Sequence, residues 1–97
     1  MHHNRDARTF EAIVNEDIAG VIVYELSAGR TFLTHTIVEP EFRGRGVGSQ
    51  LVHVTLDTLR SEDRRVTNYC GFVRDYIAAH PEYRTVIDTA HPGLPLL

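Results

Sequence analysis

The chain contains no lysine, no tryptophan and a single cysteine among its 97 residues. All ten basic residues are arginines, and thirteen acidic residues leave a formal net charge of −3. Nucleic acid is therefore an unfavoured partner, because its recognition relies on a basic patch and a high isoelectric point. A lone cysteine cannot form an internal disulfide, so we expect a reducing, cytoplasmic environment.

Long apolar runs are also lacking. No stretch reaches the roughly 18 consecutive apolar residues that a membrane helix requires, and the segment Met1–Asp6 is polar, unlike a signal peptide. We therefore expect no membrane association. The length suits one small domain, residues 1–97, with its core at about 8–88. The tail, 89–97, carries two prolines and a glycine and is expected to be loose.

The spacing of the apolar residues predicts the secondary structure. Alternating or continuous β-branched runs predict four strands, at 8–15, 21–26, 31–38 and 65–69. Helical spacing predicts two helices, one from Val47 to about 61–64 and one over 72–80. Short turns at 16–20 and 27–30 make the first three strands an antiparallel meander. The predicted fold class is α/β (α+β): a mixed sheet with the order β-β-β-α-β-α, whose third and fourth strands run parallel.

The junction between the third strand and the first helix carries the strongest functional signal. It reads Val38-Glu39-Pro40-Glu41-Phe42-Arg43-Gly44-Arg45-Gly46-Val47-Gly48. Glycines at alternate positions let the backbone approach a ligand and adopt positive φ values. The first N–H groups of the following helix have no partner inside it and lie at the positive end of its dipole. Together these features predict an anion site, most naturally one for a phosphate group.

Two common phosphate motifs do not fit this junction. The loop of the nucleoside triphosphatases requires Gly-Lys-Ser or Gly-Lys-Thr, and the chain has no lysine. The dinucleotide motif G-x-G-x-x-G would begin at Gly44, but Ser49 occupies the position of its third glycine. That motif also follows the first strand of a β-α-β unit, whereas three strands without an intervening helix come first here.

The pattern that fits is Arg-x-x-Gly-x-Gly, at Arg43, Gly46 and Gly48. It resembles the pyrophosphate-binding motif of the GNAT superfamily of acetyl-CoA-dependent N-acetyltransferases. Two longer blocks extend the resemblance to the minimal, stand-alone proteins of that superfamily, from about Phe10 to Tyr83. These blocks run from His35-Thr36-x-Val38 to Leu51, and from Cys70-x-Phe72-Val73 to His80-Pro81-Glu82-Tyr83.

The resemblance implies a GNAT-like sheet whose strands splay apart at the cofactor site. The pantetheine arm of acetyl-CoA is then expected to lie in the gap and to hydrogen-bond like an added strand. No metal is expected. The residues that the resemblance assigns to the cofactor are Ile37, Val38, Arg43, Gly44, Arg45, Gly46, Val47 and Gly48. Tyr76, on the second predicted helix, is a further candidate, because its ring could pack on the pantetheine or the adenine as well as in the core.

Two residues are candidates for catalysis. By resemblance, Cys70 would lie beside the acetyl thioester, where a helix N-terminus favours the thiolate and an acetyl-cysteine intermediate can form. The alternative is that Cys70 is a small buried hydrophobic residue. His35 could take a proton from the incoming amine, or it could make a structural hydrogen bond on a half-buried strand.

The function that the resemblance implies is acetyl transfer from acetyl-CoA to an amine acceptor, with protein and peptide amines as candidates. A typical GNAT domain has additional helices before the glycine motif, which often shape the acceptor site. This chain has no room for them. A non-catalytic module that binds coenzyme A or acyl-CoA is therefore the alternative.

Overall fold

A single mixed sheet organises the computed structural model, which describes residues 1–96; Leu97, at the end of the predicted tail, lies outside the described residues. The five strands lie in the order of the chain: β1 (His2–Asn4), β2 (Thr9–Val14), β3 (Asp17–Ser27), β4 (Arg30–Val38) and β5 (Val66–Asn68). Two α-helices, α1 (Val47–Ser61) and α2 (Gly71–Ala79), and two 3₁₀ helices, Pro40–Phe42 and Pro81–Val86, complete it. The predicted α/β fold is confirmed.

The sequence pattern does not predict strand β1. It pairs antiparallel with β2 and places His3 opposite Phe10. The His3 ring stacks on the Phe10 ring at 4.0 Å, and its Nε2 hydrogen-bonds with the Tyr24 hydroxyl at 2.8 Å. These contacts hold a segment that is polar by composition, because an imidazole can stack like an aromatic residue and still form a hydrogen bond.

The first turn is shorter than predicted. β3 begins at Asp17, so the turn expected at 16–20 reduces to Asn15 and Glu16, which have φ values of 50° and 69°. Residues 17–20 continue the sheet because the pairing of β2 with β3 shifts register between Ala12 and Ile13. A period-2 pattern breaks at such a bulge, which explains the wrong prediction here.

The helices and one face of the sheet share a single hydrophobic core. α1 contributes its buried stripe, and β2, β3 and β4 contribute the side chains beneath it. A fully buried Leu or Ile side chain stabilises the fold by about 1.5–3 kcal/mol relative to its exposed state. The largest fully buried side chains include Ile22, Leu33, Leu51, Leu56, Leu59 and Ile77.

Strands β4 and β5 are parallel, as predicted, but they separate early. They pair from Thr31 opposite Val66 to Leu33 opposite Asn68. One further hydrogen bond joins the Tyr69 N–H to the Leu33 carbonyl at 2.8 Å. β4 then continues to residue 38 while the other chain turns into α2. The splayed strands expected from the resemblance are thus present.

The C-terminal segment lies against β5. The Asn68 N–H donates to the Pro92 carbonyl at 2.9 Å, and the Leu94 N–H donates to the Asn68 carbonyl at 2.7 Å. Gly93 fits between these bonds because a Cβ there would lie 2.2 Å from the Asn68 oxygen. In contrast to the loose tail expected from the sequence, the chain is hydrogen-bonded to the sheet as far as Leu94.

The contacts of His3 predict a fold that loses stability in mild acid. Burial, reinforced by the positive charge of Arg5, lowers the pKa of His3 below its ordinary value of 6.5. The folded protein therefore binds this proton more weakly than the unfolded chain, and folding is opposed as the pH falls below 6.5. Urea denaturation should show a larger loss of unfolding free energy, from about pH 7.5 to about pH 5.5, in the wild type than in His3→Gln.

His2→Gln is the matched control, since His2 is an exposed histidine on the same strand. This variant should keep most of the pH dependence of the wild type, because the charge of His2 is the smallest of the causes that act on the pKa of His3. A wild type and a His3→Gln variant with parallel stability curves would contradict the assignment to His3.

Candidate functional site

A cleft of about 540 Å³ opens where β4, the glycine turn and the N-termini of the two helices meet. It is lined by Thr36–Val38 of β4, by Phe42–Ser49 except Arg45, and by Phe72 of α2. Seven of the nine residues predicted to bind the cofactor therefore lie together. They are Ile37, Val38, Arg43, Gly44, Gly46, Val47 and Gly48.

The glycine turn owes its shape to two left-handed residues. Gly44 and Gly46 have φ values of 79° and 76°, a region that costs other residues roughly 1–2 kcal/mol. A Cβ at either position would meet no atom within 4 Å. Space is available there, so the glycines are required by the backbone conformation that leads the chain from the first 3₁₀ helix into α1.

The start of α1 presents unpaired N–H groups to the cleft. Its first helical hydrogen bond runs from the Gln50 N–H to the Gly46 carbonyl at 3.0 Å. The cap residue, Gly46, has no side chain to accept the earlier N–H groups, and the first turn contains no acidic residue. The N–H groups of residues 47–49, all of which line the cleft, thus lie at the positive end of the helix dipole. This geometry suits an anion.

The two arginines of the turn are separated. The Arg43 Nε donates to the Val38 carbonyl at 3.3 Å, which ties this guanidinium to the end of β4 beside the cleft. The Arg45 guanidinium lies 5.5 Å from the centre of the Phe42 ring. Arg45 lines a neighbouring pocket of about 370 Å³ instead of the cleft. The cleft therefore has one arginine in its wall.

The third glycine allows the helices to approach each other. A Cβ at Gly48 would lie 2.8 Å from Cζ of Phe72. Gly48 is buried, whereas Phe72 is 45% exposed and forms part of the cleft wall. Any larger residue at position 48 would displace the ring, so this glycine fixes the position of an aromatic wall.

Cys70 lies at the N-cap of α2, behind the cleft. The residue is only 5% exposed and belongs to the hydrophobic core. Its Sγ atom lies 3.2 Å from Oγ1 of Thr36, and Thr36 lines the cleft whereas Cys70 does not. Sequence reasoning missed Thr36, because a contact between residues 34 positions apart leaves no local pattern.

Asn68, also missed from the sequence, holds the backbone of Cys70. The Asn68 Nδ2 donates to the Cys70 carbonyl at 3.0 Å, and the Cys70 N–H donates to the Asn68 Oδ1 at 3.0 Å. Asn68 is 1% exposed, so both bonds are shielded from water. An asparagine two residues before the N-cap of a helix was the available signal, since such side chains often bond to the nearby backbone.

The structure does not bring His35 together with Cys70. Thr36 pairs with Ile22, which is fully buried, and it therefore faces the core. His35 is the neighbouring residue on the strand and is exposed, and its side chain points to the opposite face of the sheet. A register shift between Val23 and Tyr24 causes this arrangement, because strict alternation from the buried Leu33 would have turned His35 inward.

Tyr76 lies beyond the cleft, in a pocket of about 290 Å³ that shares Ser49 and Phe72 with it. Its hydroxyl lies 3.3 Å from Nδ1 of His53, and its ring stacks on His80 at 4.1 Å. Burial, followed by the negative charge of a nearby aspartate, raises the pKa of Tyr76. Its phenol is therefore neutral at ordinary pH and forms part of an extension of the cleft.

The segment from His80 to Tyr83 has a structural role. The Tyr83 hydroxyl donates to Oδ1 of Asp57 at 2.7 Å and lies 3.0 Å from Nδ1 of His53. Burial and the hydrogen bond to Asp57 raise the pKa of Tyr83 to about 12. The hydroxyl thus keeps its proton and ties the second 3₁₀ helix to α1.

Within residues 1–96, no group of three or more His, Cys, Asp or Glu side chains is arranged to hold a metal ion. None of the helices described is both long and apolar enough to cross a bilayer. The chemical groups that line the cleft are backbone amides, one arginine, two hydroxyls and apolar side chains.

Comparison with known proteins confirms the resemblance seen in the sequence. The model of the family described as GCN5-related N-acetyl-transferase matches residues 9–86. Proteins named NATD1 from Xenopus tropicalis, Mus musculus and Homo sapiens are each 32% identical to the chain over 84 residues. The aligned region covers 84% of this chain and 76%, 76% and 74% of those three relatives. The matched region contains both the glycine turn and the Asn68–Cys70 segment.

The hydrogen bonds of Asn68 predict that this residue protects Cys70. Asn68→Ala leaves the buried Cys70 N–H without a partner, which costs about 1–3 kcal/mol. We expect a corresponding loss in urea denaturation and a faster reaction of Cys70 with Ellman's reagent under native conditions, because the segment that buries the thiol is released.

Thr67→Val is the control for this experiment. Thr67 is buried beside Asn68 and donates to the His91 carbonyl at 2.6 Å, but it makes no hydrogen bond to Cys70. Under conditions in which both proteins are folded, Cys70 of Thr67→Val should react no faster than Cys70 of the wild type. Labelling of Asn68→Ala at the wild-type rate would rule out the protective role.

Proposed function

The chain belongs to the GCN5-related N-acetyl-transferase family, and we propose that it transfers an acetyl group from acetyl-CoA to an amine, such as a protein or peptide amine. The observation that carries this proposal is the cleft. In it, the edge of β4 that has no neighbouring strand, two left-handed glycines and an open helix N-terminus lie side by side. This combination offers hydrogen bonds to both the amides and the phosphates of coenzyme A.

The diphosphate is proposed to bind at the glycine turn. The N–H groups of Val47, Gly48 and Ser49 would donate to its oxygens, each bond contributing about 1.5–3 kcal/mol. The helix dipole adds about 0.3–1 kcal/mol. Arg43, held against the end of β4, would pair with the phosphates through its guanidinium fork. Arg45 contributes positive charge at the same turn from the adjoining pocket.

The pantetheine arm is proposed to run along β4. Beyond Leu33 this edge of the strand has no β5 partner within residues 1–96, so the backbone of Ile37 and Val38 can bond an extended chain of amides. At the other end, the cleft passes Ser49 and Phe72 to reach Tyr76. We assign Tyr76 to the adenosine end of the ligand, where its ring can pack against the base.

Acetyl-CoA supplies an activated thioester, and the chain supplies orientation and proton transfer. In the direct route, the amine nitrogen bonds to the thioester carbon and the C–S bond breaks. A backbone N–H near the splay stabilises the negative charge on the oxygen. His35 is proposed to take the amine proton, which then passes to the released thiolate of coenzyme A. Because His35 points to the face opposite Thr36, this role requires the amine to approach from that side of the sheet.

A covalent route would use Cys70 as the first acceptor of the acetyl group. The sulfur belongs to the N-cap residue of α2 and lies within hydrogen-bond distance of the Thr36 hydroxyl, which lines the cleft. A reducing compartment such as the cytoplasm suits a free thiol. Since Cys70 is 5% exposed, this route also requires the Thr36 side chain to move away from the sulfur.

A second candidate function is a module that binds coenzyme A without catalysis. The separation of His35 from Cys70 favours it, because the base predicted from the sequence does not lie beside the thiol. Mass spectrometry after incubation with acetyl-CoA and a peptide carrying free lysine and α-amino groups discriminates the two. Acetylated peptide supports the enzyme, and tight binding of coenzyme A with an unchanged peptide supports the module.

Gly46→Ala tests the phosphate site. Alanine would strain the left-handed position and tilt the helix N–H groups away from the ligand. We expect calorimetry to show about tenfold weaker binding of coenzyme A, which corresponds to the loss of about one hydrogen bond.

Gly29→Ala is a matched control, since Gly29 also has a φ of 76° and a Cβ there would meet no atom within 4 Å. It lies between β3 and β4, away from the cleft, so it should reproduce the backbone strain and leave the affinity unchanged. Equal affinities of the two variants would refute the phosphate site. A folded wild type that gives no heat with millimolar coenzyme A would refute the proposed function as a whole.

Cys70→Ala tests the covalent route. If that route operates, the variant loses acetyl transfer to the peptide and retains nearly wild-type affinity for coenzyme A, because Cys70 does not line the cleft. The intact mass of the wild type should then increase by one acetyl group after brief exposure to acetyl-CoA. Full activity in Cys70→Ala would exclude the covalent route, and only the direct route would remain.

A further inference from the structure

The geometry points to Thr36 as a catalytic residue: its hydroxyl, oriented by Cys70, donates a hydrogen bond to the carbonyl oxygen of the acetyl thioester. This inference rests on the proposed acetyl transfer. It adds a residue that touches the reacting group and gives the buried cysteine a role that requires no exposed thiol.

The position of Thr36 on β4 supports the assignment. It lies three residues beyond Leu33, which makes the last hydrogen bond that joins the two splayed strands. The register shift after Val23 turns Thr36, and not His35, toward the core side of the sheet. Its side chain therefore lies where the gap begins to widen, and it lines the cleft there.

The contact with Cys70 can orient the Thr36 hydroxyl. The two side-chain atoms are 3.2 Å apart, and a hydroxyl accepts and donates at the same time. If the Cys70 S–H donates to Oγ1, the Thr36 O–H is left to donate into the cleft. A β-branched side chain has few χ1 rotamers. Asn68 in turn holds the Cys70 backbone, so three side chains form a continuous support from β5 to the cleft.

During the reaction, Thr36 has only to donate one hydrogen bond to the carbonyl oxygen. As the amine nitrogen bonds to the thioester carbon, negative charge develops on the carbonyl oxygen. The C–S bond then breaks, the amine proton is passed through the base to the released thiolate, and the Thr36 proton stays on its oxygen. A preorganised donor to such an oxygen typically accelerates acyl transfer by about 10²–10³-fold.

The plainer explanation is that the Thr36 hydroxyl and the Cys70 thiol serve only as each other's hydrogen-bond partner at the edge of the core. In that case Thr36→Val, which has nearly the same shape, should behave like the wild type in every measurement of ligand binding. The carbonyl oxygen is present in acetyl-CoA and absent from coenzyme A. A comparison of the two ligands therefore isolates the hydrogen bond from the rest of the site, and it requires no acceptor.

Calorimetry with both ligands tests the inference on the wild type, Thr36→Val and Thr36→Ser. We expect the wild type to bind acetyl-CoA more tightly than Thr36→Val does, by about two- to tenfold, with equal affinities for coenzyme A. Thr36→Ser retains a hydroxyl and should restore the affinity for acetyl-CoA. Equal affinity for coenzyme A also shows that the variants are folded.

Thr34→Val is the matched control. Thr34 lies two positions earlier on β4, and its hydroxyl donates to the Val23 carbonyl at 3.1 Å, away from the cleft. It should bind both ligands as the wild type does. In the acetylation of the lysine-containing peptide, Thr36→Val should lower kcat by about 10²–10³-fold and raise the KM for acetyl-CoA by no more than the two- to tenfold loss in binding, and Thr36→Ser should recover most of both losses.

The outcomes separate the two proposals. If the wild type binds neither ligand, the proposed function fails and the assignment of Thr36 fails with it. If both ligands bind and Thr36→Val retains the wild-type affinity for acetyl-CoA, the assignment of Thr36 is overturned and the proposed function stands. A loss in Thr36→Val that Thr36→Ser does not restore also overturns it, because the hydroxyl would then not be the cause.

Discussion

The early separation of β4 and β5 is the constraint on which the rest of the structure depends. Parallel strands normally continue to satisfy each other's backbone groups, and an unpaired buried N–H or carbonyl is costly. Here the pairing ends at Asn68, whose side chain takes over as the hydrogen-bond partner of the following backbone. The C-terminal segment also contacts Asn68, because its Pro92 carbonyl and Leu94 N–H form hydrogen bonds with the Asn68 backbone. Asn68 therefore stabilises the point at which the sheet opens.

The opening acquires its chemistry from the turn between β4 and α1. Two left-handed glycines direct the chain, and a third lets the Phe72 ring approach α1 closely. The same turn leaves the helix N–H groups exposed to the gap. A strand edge that can bond amides and a helix end that can bond phosphates thus become neighbours, because they flank one short connection in the sequence.

Most of the fold could be predicted because its signals are local. Changes in apolar period indicate the central strands and both helices, and the alternate glycines indicate the turn between β4 and α1. β1 was not predictable from hydropathy, since His3 is held by stacking and a hydrogen bond. The hydrogen bonds of the C-terminal segment were not predicted, because a glycine such as Gly93 usually indicates a break in regular structure. Here the glycine is required, since only a glycine fits against Asn68.

The least predictable part of the site depends on one bulge. A period-2 pattern indicates which residues alternate, but it does not show where the register shifts. The shift after Val23 exchanges the faces of His35 and Thr36. The histidine that the resemblance suggests for catalysis is thereby turned outward, and the neighbouring threonine of the same block, to which no role was assigned from the sequence, lines the cleft.

Burial of polar groups close to the cleft gives the site its rigidity. A polar side chain inside a small core destabilises the fold unless it is fully bonded, and a satisfied network specifies a single arrangement. Asn68 meets this condition, with both ends of its amide bonded to Cys70. The sulfur of Cys70 then meets the Thr36 hydroxyl. The polar contacts of Cys70 therefore end at a side chain that lines the cleft, and the most deeply buried residue of this network, Asn68, is connected to the cleft through the least buried one, Thr36.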